Sequence, residues 1–103
     1  MFDLHHIQKL QKDLSDRMER VQEDLAGLFV EGTSGGGIVA VTSNGRQEIV
    51  KVKIKPEAVD PNDLEMLEDL VLAATNSALE KARELHESKV SQVTGGIKIP
   101  GLF

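Results

Sequence analysis

The chain has no cysteine, no tryptophan and no tyrosine, and its aromatic side chains are 3 Phe. Without cysteine there is no disulfide, no thiolate nucleophile and no cysteine-ligated metal, a composition that suits a reducing compartment. So few aromatics leave little on which single-stranded bases stack, which argues against sequence-tolerant binding of single strands. No apolar run approaches the roughly 20 residues of a membrane span, and no basic-then-apolar leader opens the sequence. The expectation is a cytoplasmic protein with no membrane partner. Basic residues are also in deficit: 12 Lys and Arg stand against 17 Asp and Glu, for a net charge of −5. That balance argues against a protein that coats itself in nucleic acid by bulk attraction.

The parts of an enzyme are missing as well. No nucleophile stands beside a base, and no cofactor loop is present, so neither a cofactor nor a small-molecule substrate is expected. Gly35-Gly36-Gly37 is not a phosphate loop, because no Lys-Ser or Lys-Thr follows and the run leads into a strand. His5 and His6, adjacent on a helix, point about 100° apart and do not readily share one ion, so no metal is expected.

What is present is a simple order of elements in 103 residues, the length of one domain. From Leu4, the apolar residues Ile7, Leu10, Leu14, Met18, Val21, Leu25 and Leu28 follow at steps of three and four, which predicts a helix over about 4–26 with Asp3 as its cap and Gly27 as its stop. Strands are expected at about 28–33, 37–43 and 48–55, joined by the glycine run and by Asn44-Gly45. A loop ending at Gln47 would set Val41 on Val50 and Val39 on Val52. Val39, Val41, Val50, Val52 and Ile54 then share one face, and Lys51, Lys53 and Lys55 the other. Asp60 as cap and Pro61 at the first helical position predict a second helix over about 61–93, ended by Gly95-Gly96. Residues 95–103 are left as a flexible tail or docking arm. The fold class is α+β: helix, three-stranded antiparallel meander, long helix.

Two helices of these lengths span roughly 37 and 50 Å, more than the breadth of a compact domain of this size, so both must project. Base lies at their ends and on one strand. Residues 46–55 carry +3, whereas residues 57–69 carry −6. The arm tips hold Lys9, Lys12, Lys81, Arg83 and Lys89, with Arg17 further in, as candidate phosphate contacts. Lys51 and Lys53 on the exposed sheet face make a rival site, where the alternative is edge protection by lysine.

The second helix is apolar on two sides. Leu67, Val71, Ala74, Ala78, Ala82 and Leu85 form one stripe, and Leu70, Ala73 and Ser77 a second beside it. One stripe serves the chain's own sheet or helix, and the other needs a partner. The alanine repeat lets a second helix approach closely, so Leu70, Val71, Ala74, Ala78 and Ala82 are the expected contact of a homodimer.

Taken together, Glu31-Gly32-Thr33-Ser34-Gly35-Gly36-Gly37-Ile38-Val39-Ala40-Val41-Thr42, Asn44-Gly45, Val52-Lys53-Ile54-Lys55-Pro56, the Leu67-Glu68-Asp69-Leu70-Val71 core with Asn76, and the terminal Gly96-Ile97-Lys98-Ile99-Pro100-Gly101-Leu102-Phe103 are a specific combination. The chain resembles the YbaB/EbfC family of bacterial nucleoid-associated proteins over nearly its whole length. The resemblance implies a tweezer-shaped homodimer that binds duplex DNA with limited sequence preference in the nucleoid, its arms gripping the duplex. In many members helix one is rich in Gln and Met; here it carries Asp13, Asp16, Glu19, Glu23 and Asp24. The competing expectation is a protein-interaction or small chaperone-like module that uses the projecting arms and the apolar tail.

Overall fold

The fold is that of a computed structural model in which residues 4–94 are described. The expected cap Asp3 and the tail 95–103 lie outside them. In chain order come α1 (Leu4–Ala26), β1 (Phe29–Ser34), β2 (Val39–Asn44), β3 (Ile49–Ile54), a 3-10 turn at Pro56–Ala58 and α2 (Leu64–Thr94). The three strands form one antiparallel sheet in the order β1-β2-β3. The molecule measures 71 × 21 × 16 Å, with a radius of gyration of 19.2 Å. A compact chain of this length has about 13 Å. The helices therefore project, as their lengths require.

α1 ends where its geometry changes to three-residue hydrogen bonds, Gly27 N–H to Asp24 O and Leu28 N–H to Leu25 O. Leu28 is thus spent on closing the helix, and β1 starts one residue later than the apolar pattern suggests. At the next turn, Gly35, Gly36 and Gly37 all have positive φ, and Gly37 N–H bonds Ser34 O at 3.1 Å. That conformation suits glycine alone and holds Gly37 out of β2.

The β2–β3 connection corrects the expected register. Asn44 pairs with Glu48 through Asn44 N–H to Glu48 O, Gln47 N–H closes a turn on Asn44 O, and Gln47 takes φ 65°. This is a three-residue loop, a turn followed by a left-handed residue. The Asn44 side chain fastens it, accepting from the backbone N–H groups of Arg46 and Glu48. The register then shifts once more, since Ser43 faces Ile49 while Thr42 faces Lys51, which leaves Val50 as a bulge. Val41 meets Val52, and Val39 meets Ile54. The slip totals two residues, so Val52 and Ile54 keep the face of Val39 and Val41.

α2 is capped by Asp63, whose Oδ1 accepts from Met66 N–H at 3.1 Å. Asp60, the expected cap, instead closes a local turn on Asn62 N–H. The helix lies along β1 and β2. Its contact is direct because Gly32 has no side chain: a Cβ there would collide with Ala78 N and Ala74 O. Val39, Val41, Ala58, Ala74 and Ala78 form the core beneath it, with Ile38, Leu67, Leu70 and Val71 packed around. A second cluster joins the helices, Val21 and Leu25 of α1 with Val90 of α2, flanked by Met18, Leu85 and Val93.

Ala74, Ala78 and Ala82 are fully buried within the single chain. This corrects the expectation that the alanine stripe is kept for a second subunit. Ala74 and Ala78 serve the close approach of α2 to its own sheet at Gly32.

Candidate nucleic-acid interface

α2 covers one face of the sheet and stops short of its edge, so every residue of β3 is exposed. On the face that turns away from α2, strand alternation sets up two cross-strand rows. Glu31 faces Thr42, which faces Lys51; Thr33 faces Ala40, which faces Lys53. No element of the described chain lies over these rows, and Lys51 and Lys53 are both exposed. The two ammonium groups project from alternate residues of one strand, beside short hydroxyl and methyl side chains that let a ligand come close.

Within one chain the expected arm-tip cations are spread along the two helices. Gln22 of α1 reaches His86 of α2 at 3.4 Å, which fixes how the two antiparallel helices are aligned. From that point Lys9 lies about 20 Å in one direction and Lys81 about 7 Å in the other. Lys81 donates to Glu31 O of β1 at 2.8 Å, so it ties α2 to the sheet. Arg83 stands 4.0 Å from Glu80 in an exposed pair and lines a small cleft with Gln47, His86 and Glu87. Lys89 is half-buried, while Lys9, Lys12 and Arg17 are exposed along α1.

The charge pattern of α1 weakens it as a phosphate track. At 100° per residue, Lys9, Lys12, Arg17 and Arg20 fall within about 140° of the helix surface, opposite the apolar seam. Asp13, Asp16, Glu23 and Asp24 fall inside that same arc, and Glu19 at its border. Cations and carboxylates therefore alternate on one face, and their fields largely cancel beyond a Debye length of about 8 Å. The lysine rows of the sheet have one carboxylate, Glu31, at the far strand.

Two features escaped the sequence reading. An open, largely apolar patch on α2 is formed by Leu67, Glu68, Val71, Leu72 and Thr75. Leu72 is 60% exposed and belongs to neither apolar stripe. On the α2 side of β3, Val52 and Ile54 are 48% and 40% exposed, and the bulged Val50 is 51% exposed. A strand apolar on one face and basic on the other was the available signal; what covers each face is decided by where α2 lies. Among the described residues no helix is long and apolar enough to cross a membrane, and no three potential ligands gather as a metal site.

A helix, a three-stranded meander and a long helix, with one sheet face left open and basic, define a small α+β binding module rather than a closed pocket. The chain belongs to the YbaB/EbfC DNA-binding family, whose pattern it matches over residues 1–97. It is 51% identical over 100 residues to a nucleoid-associated protein of Pelotomaculum thermopropionicum, covering 97% of this chain and 91% of that one. It is 54% identical over 97 residues to a nucleoid-associated protein of Acetivibrio thermocellus, covering 93% and 82%. A nucleoid-associated protein of Bacillus thuringiensis is 46% identical over 101 residues, covering 98% and 93%. The crystal structure of an uncharacterized protein from Helicobacter pylori shares the fold, with a TM-score of 0.83 at 21% identity over 92% of this chain and 100% of that one.

Proposed function

We propose that this protein is a nucleoid-associated, non-catalytic homodimer that binds duplex DNA through phosphate contacts with little base selectivity. The observation that carries the reading is the open sheet face, where Lys51 and Lys53 occupy consecutive rows that no element covers. Phosphate contacts of this kind fix orientation without reading sequence. Lys9, Lys12 and Arg17 on α1 serve as secondary contacts, weakened by the carboxylates among them. Arg83 and Lys89 of α2 complete the basic set, and Lys81 is largely committed to Glu31.

The dimer is supported by apolar surface that one chain leaves uncovered. β3 turns Val52 and Ile54 toward the α2 side of the sheet, beyond the reach of α2 itself. The open α2 patch at Leu67, Val71 and Leu72 is a matching apolar flank. A second copy placing its flank over β3 would cover both at once, the self-complementary arrangement of a twofold dimer. Leu70 and Val71 then border the contact, and the three alanines lie beneath it.

The test is fluorescence anisotropy of a random-sequence duplex at low and near-physiological salt, with sedimentation to give the oligomeric state. Binding should weaken with salt, fall sharply in Lys51→Glu/Lys53→Glu, and fall less in Lys9→Glu/Lys12→Glu. Val52→Asp/Ile54→Asp should give a folded monomer. Absence of binding at low salt by a folded wild-type protein would refute the DNA reading. A protein-interaction role keeps one specific support: Leu4, Ile7 and Leu10 continue the α1 seam into solvent. Loss of a bound protein in Ile7→Ser/Leu10→Ser, with DNA binding unchanged, would favour it.

A further inference from the structure

The tip of the β2–β3 hairpin, α1 and α2 meet at one corner of the molecule. Gly45 of the hairpin donates its N–H to both Leu25 O and Leu28 O at 2.8 Å, which docks the tip on the end of α1. A Cβ on Gly45 would lie 2.7 Å from Leu25 Cδ2 and 2.8 Å from Leu25 O, so this docking needs glycine. The next loop residues then face α2, and between them lies a cleft of about 200 Å³ lined by Gln47, Arg83, His86 and Glu87.

Three of these lining residues carry hydrogen-bond donors and come from two elements: Gln47 from the hairpin loop, and Arg83 and His86 from α2. His86 is held from a third element. The Gln22 carboxamide nitrogen stands 3.4 Å from His86 Nε2, which orients the imidazole. Arg83 makes a long, exposed pair with Glu80 at 4.0 Å, and Arg46 beside Gln47 is turned to Glu48 at 3.9 Å. Gln47 holds φ 65°, a conformation that a side chain other than glycine adopts at a cost. The volume equals the room of roughly seven waters, enough for a tetrahedral anion and part of its hydration.

We propose that this cleft receives a phosphodiester of duplex DNA, with Arg83 as the charged anchor and Gln47 and His86 as further hydrogen-bond donors. The inference rests on the reading of the chain as a duplex binder and adds a contact point distinct from the lysine rows. Glu87 lines the same cleft and opposes the anion, which keeps the contact weak and readily reversed. The donors and the carboxylate therefore predict effects of opposite sign, and an equal charge change far from the cleft separates a local contact from an effect of bulk charge.

The experiment is duplex anisotropy across a salt series with the full chain and four single variants, each checked for wild-type folding by circular dichroism. Arg83→Gln should weaken binding by about tenfold and lower the salt slope by about one. Gln47→Gly, which suits the left-handed position better and so folds at least as well, should also weaken binding. Glu87→Gln should tighten it, and Glu65→Gln, an equal charge change at the far end of α2, should leave it unchanged. Unaltered affinity in Arg83→Gln, or equal tightening by Glu87→Gln and Glu65→Gln, would overturn the proposal while leaving the duplex reading intact. A wild-type chain that binds no duplex at low salt would remove both.

Discussion

Gly32→Ala tests the contact on which every position in this fold depends. The added methyl would meet the backbone of α2, at Ala78 N and Ala74 O, with Ala78 Cα 2.9 Å away. Ordinary van der Waals contact starts at 3.4 Å. None of these atoms belongs to a side chain that swings aside, so α2 must withdraw bodily by about half an ångström or more. Such a gap forfeits about a quarter to a half of each dispersion contact across the face formed by Ala74, Ala78, Val39 and Val41. Overpacking against yielding side chains costs about 1–3 kcal/mol, and a backbone obstacle belongs at or above the upper end. Roughly 3 kcal/mol corresponds to a fall in Tm of roughly 12–24 °C for a domain of this size. Gly36→Ala is the matched control. Its position has φ 74° but open space, so it carries backbone strain without collision and should cost about 1–2 kcal/mol. The assay is urea and thermal unfolding followed by far-UV circular dichroism at fixed protein concentration. A Gly32→Ala protein no less stable than Gly36→Ala would refute the reasoning, because α2 would then not be seated on β1 as described.

Two further outcomes follow from the corrected assignments. Asp63→Ala should cost about 1 kcal/mol, as loss of an N-cap does, while Asp60→Ala costs less; the reverse order in urea unfolding would restore Asp60 as the cap. Lys81→Met should lower stability by less than about 1 kcal/mol and change duplex affinity little, because its ammonium is engaged by Glu31 O; a loss of binding equal to that of Lys51→Glu would place Lys81 among the phosphate contacts.

The parts of the fold legible in the sequence were those fixed by local periodicity. α1 spans Leu4–Ala26, as its seam and Gly27 suggest, since a regular apolar spacing with a glycine stop has one local solution. The start of α2 was less determinate, because Asp60 and Asp63 are equally good caps when read alone. Ala58 is fully buried and Ala58 N–H bonds Lys55 O, so the chain is held against the core in a 3-10 turn before the helix begins. The hairpin register depended on the Asn44 side chain and the Val50 bulge, neither of which alternation reveals. The alanine stripe was read correctly as a surface for close approach, but what approaches it is decided by Gly32, more than forty residues away. The lysine rows were visible as alternation on β3. The cleft at Gln47, Arg83 and His86 was not, since it exists only where the hairpin tip docks on α1.

β3 explains how one strand can serve two purposes in a protein of net negative charge. Its period of two sends Val52 and Ile54 to one side and Lys51 and Lys53 to the other. On the proposed dimer the first pair is covered by the second copy, and the second pair remains open. Assembly through the apolar side therefore brings two sets of lysines onto one particle without placing either inside the interface. A single set of two lysines neutralises few phosphates and gives correspondingly little affinity at near-physiological salt. Two sets held at a fixed distance act together, because engagement of the first raises the effective concentration of the second. The carboxylates of α1 from Asp13 to Asp24 then penalise close contact along that helix. In this arrangement orientation on the duplex comes from repulsion as much as from attraction, and a chain with five net negative charges needs only a small, correctly placed basic surface.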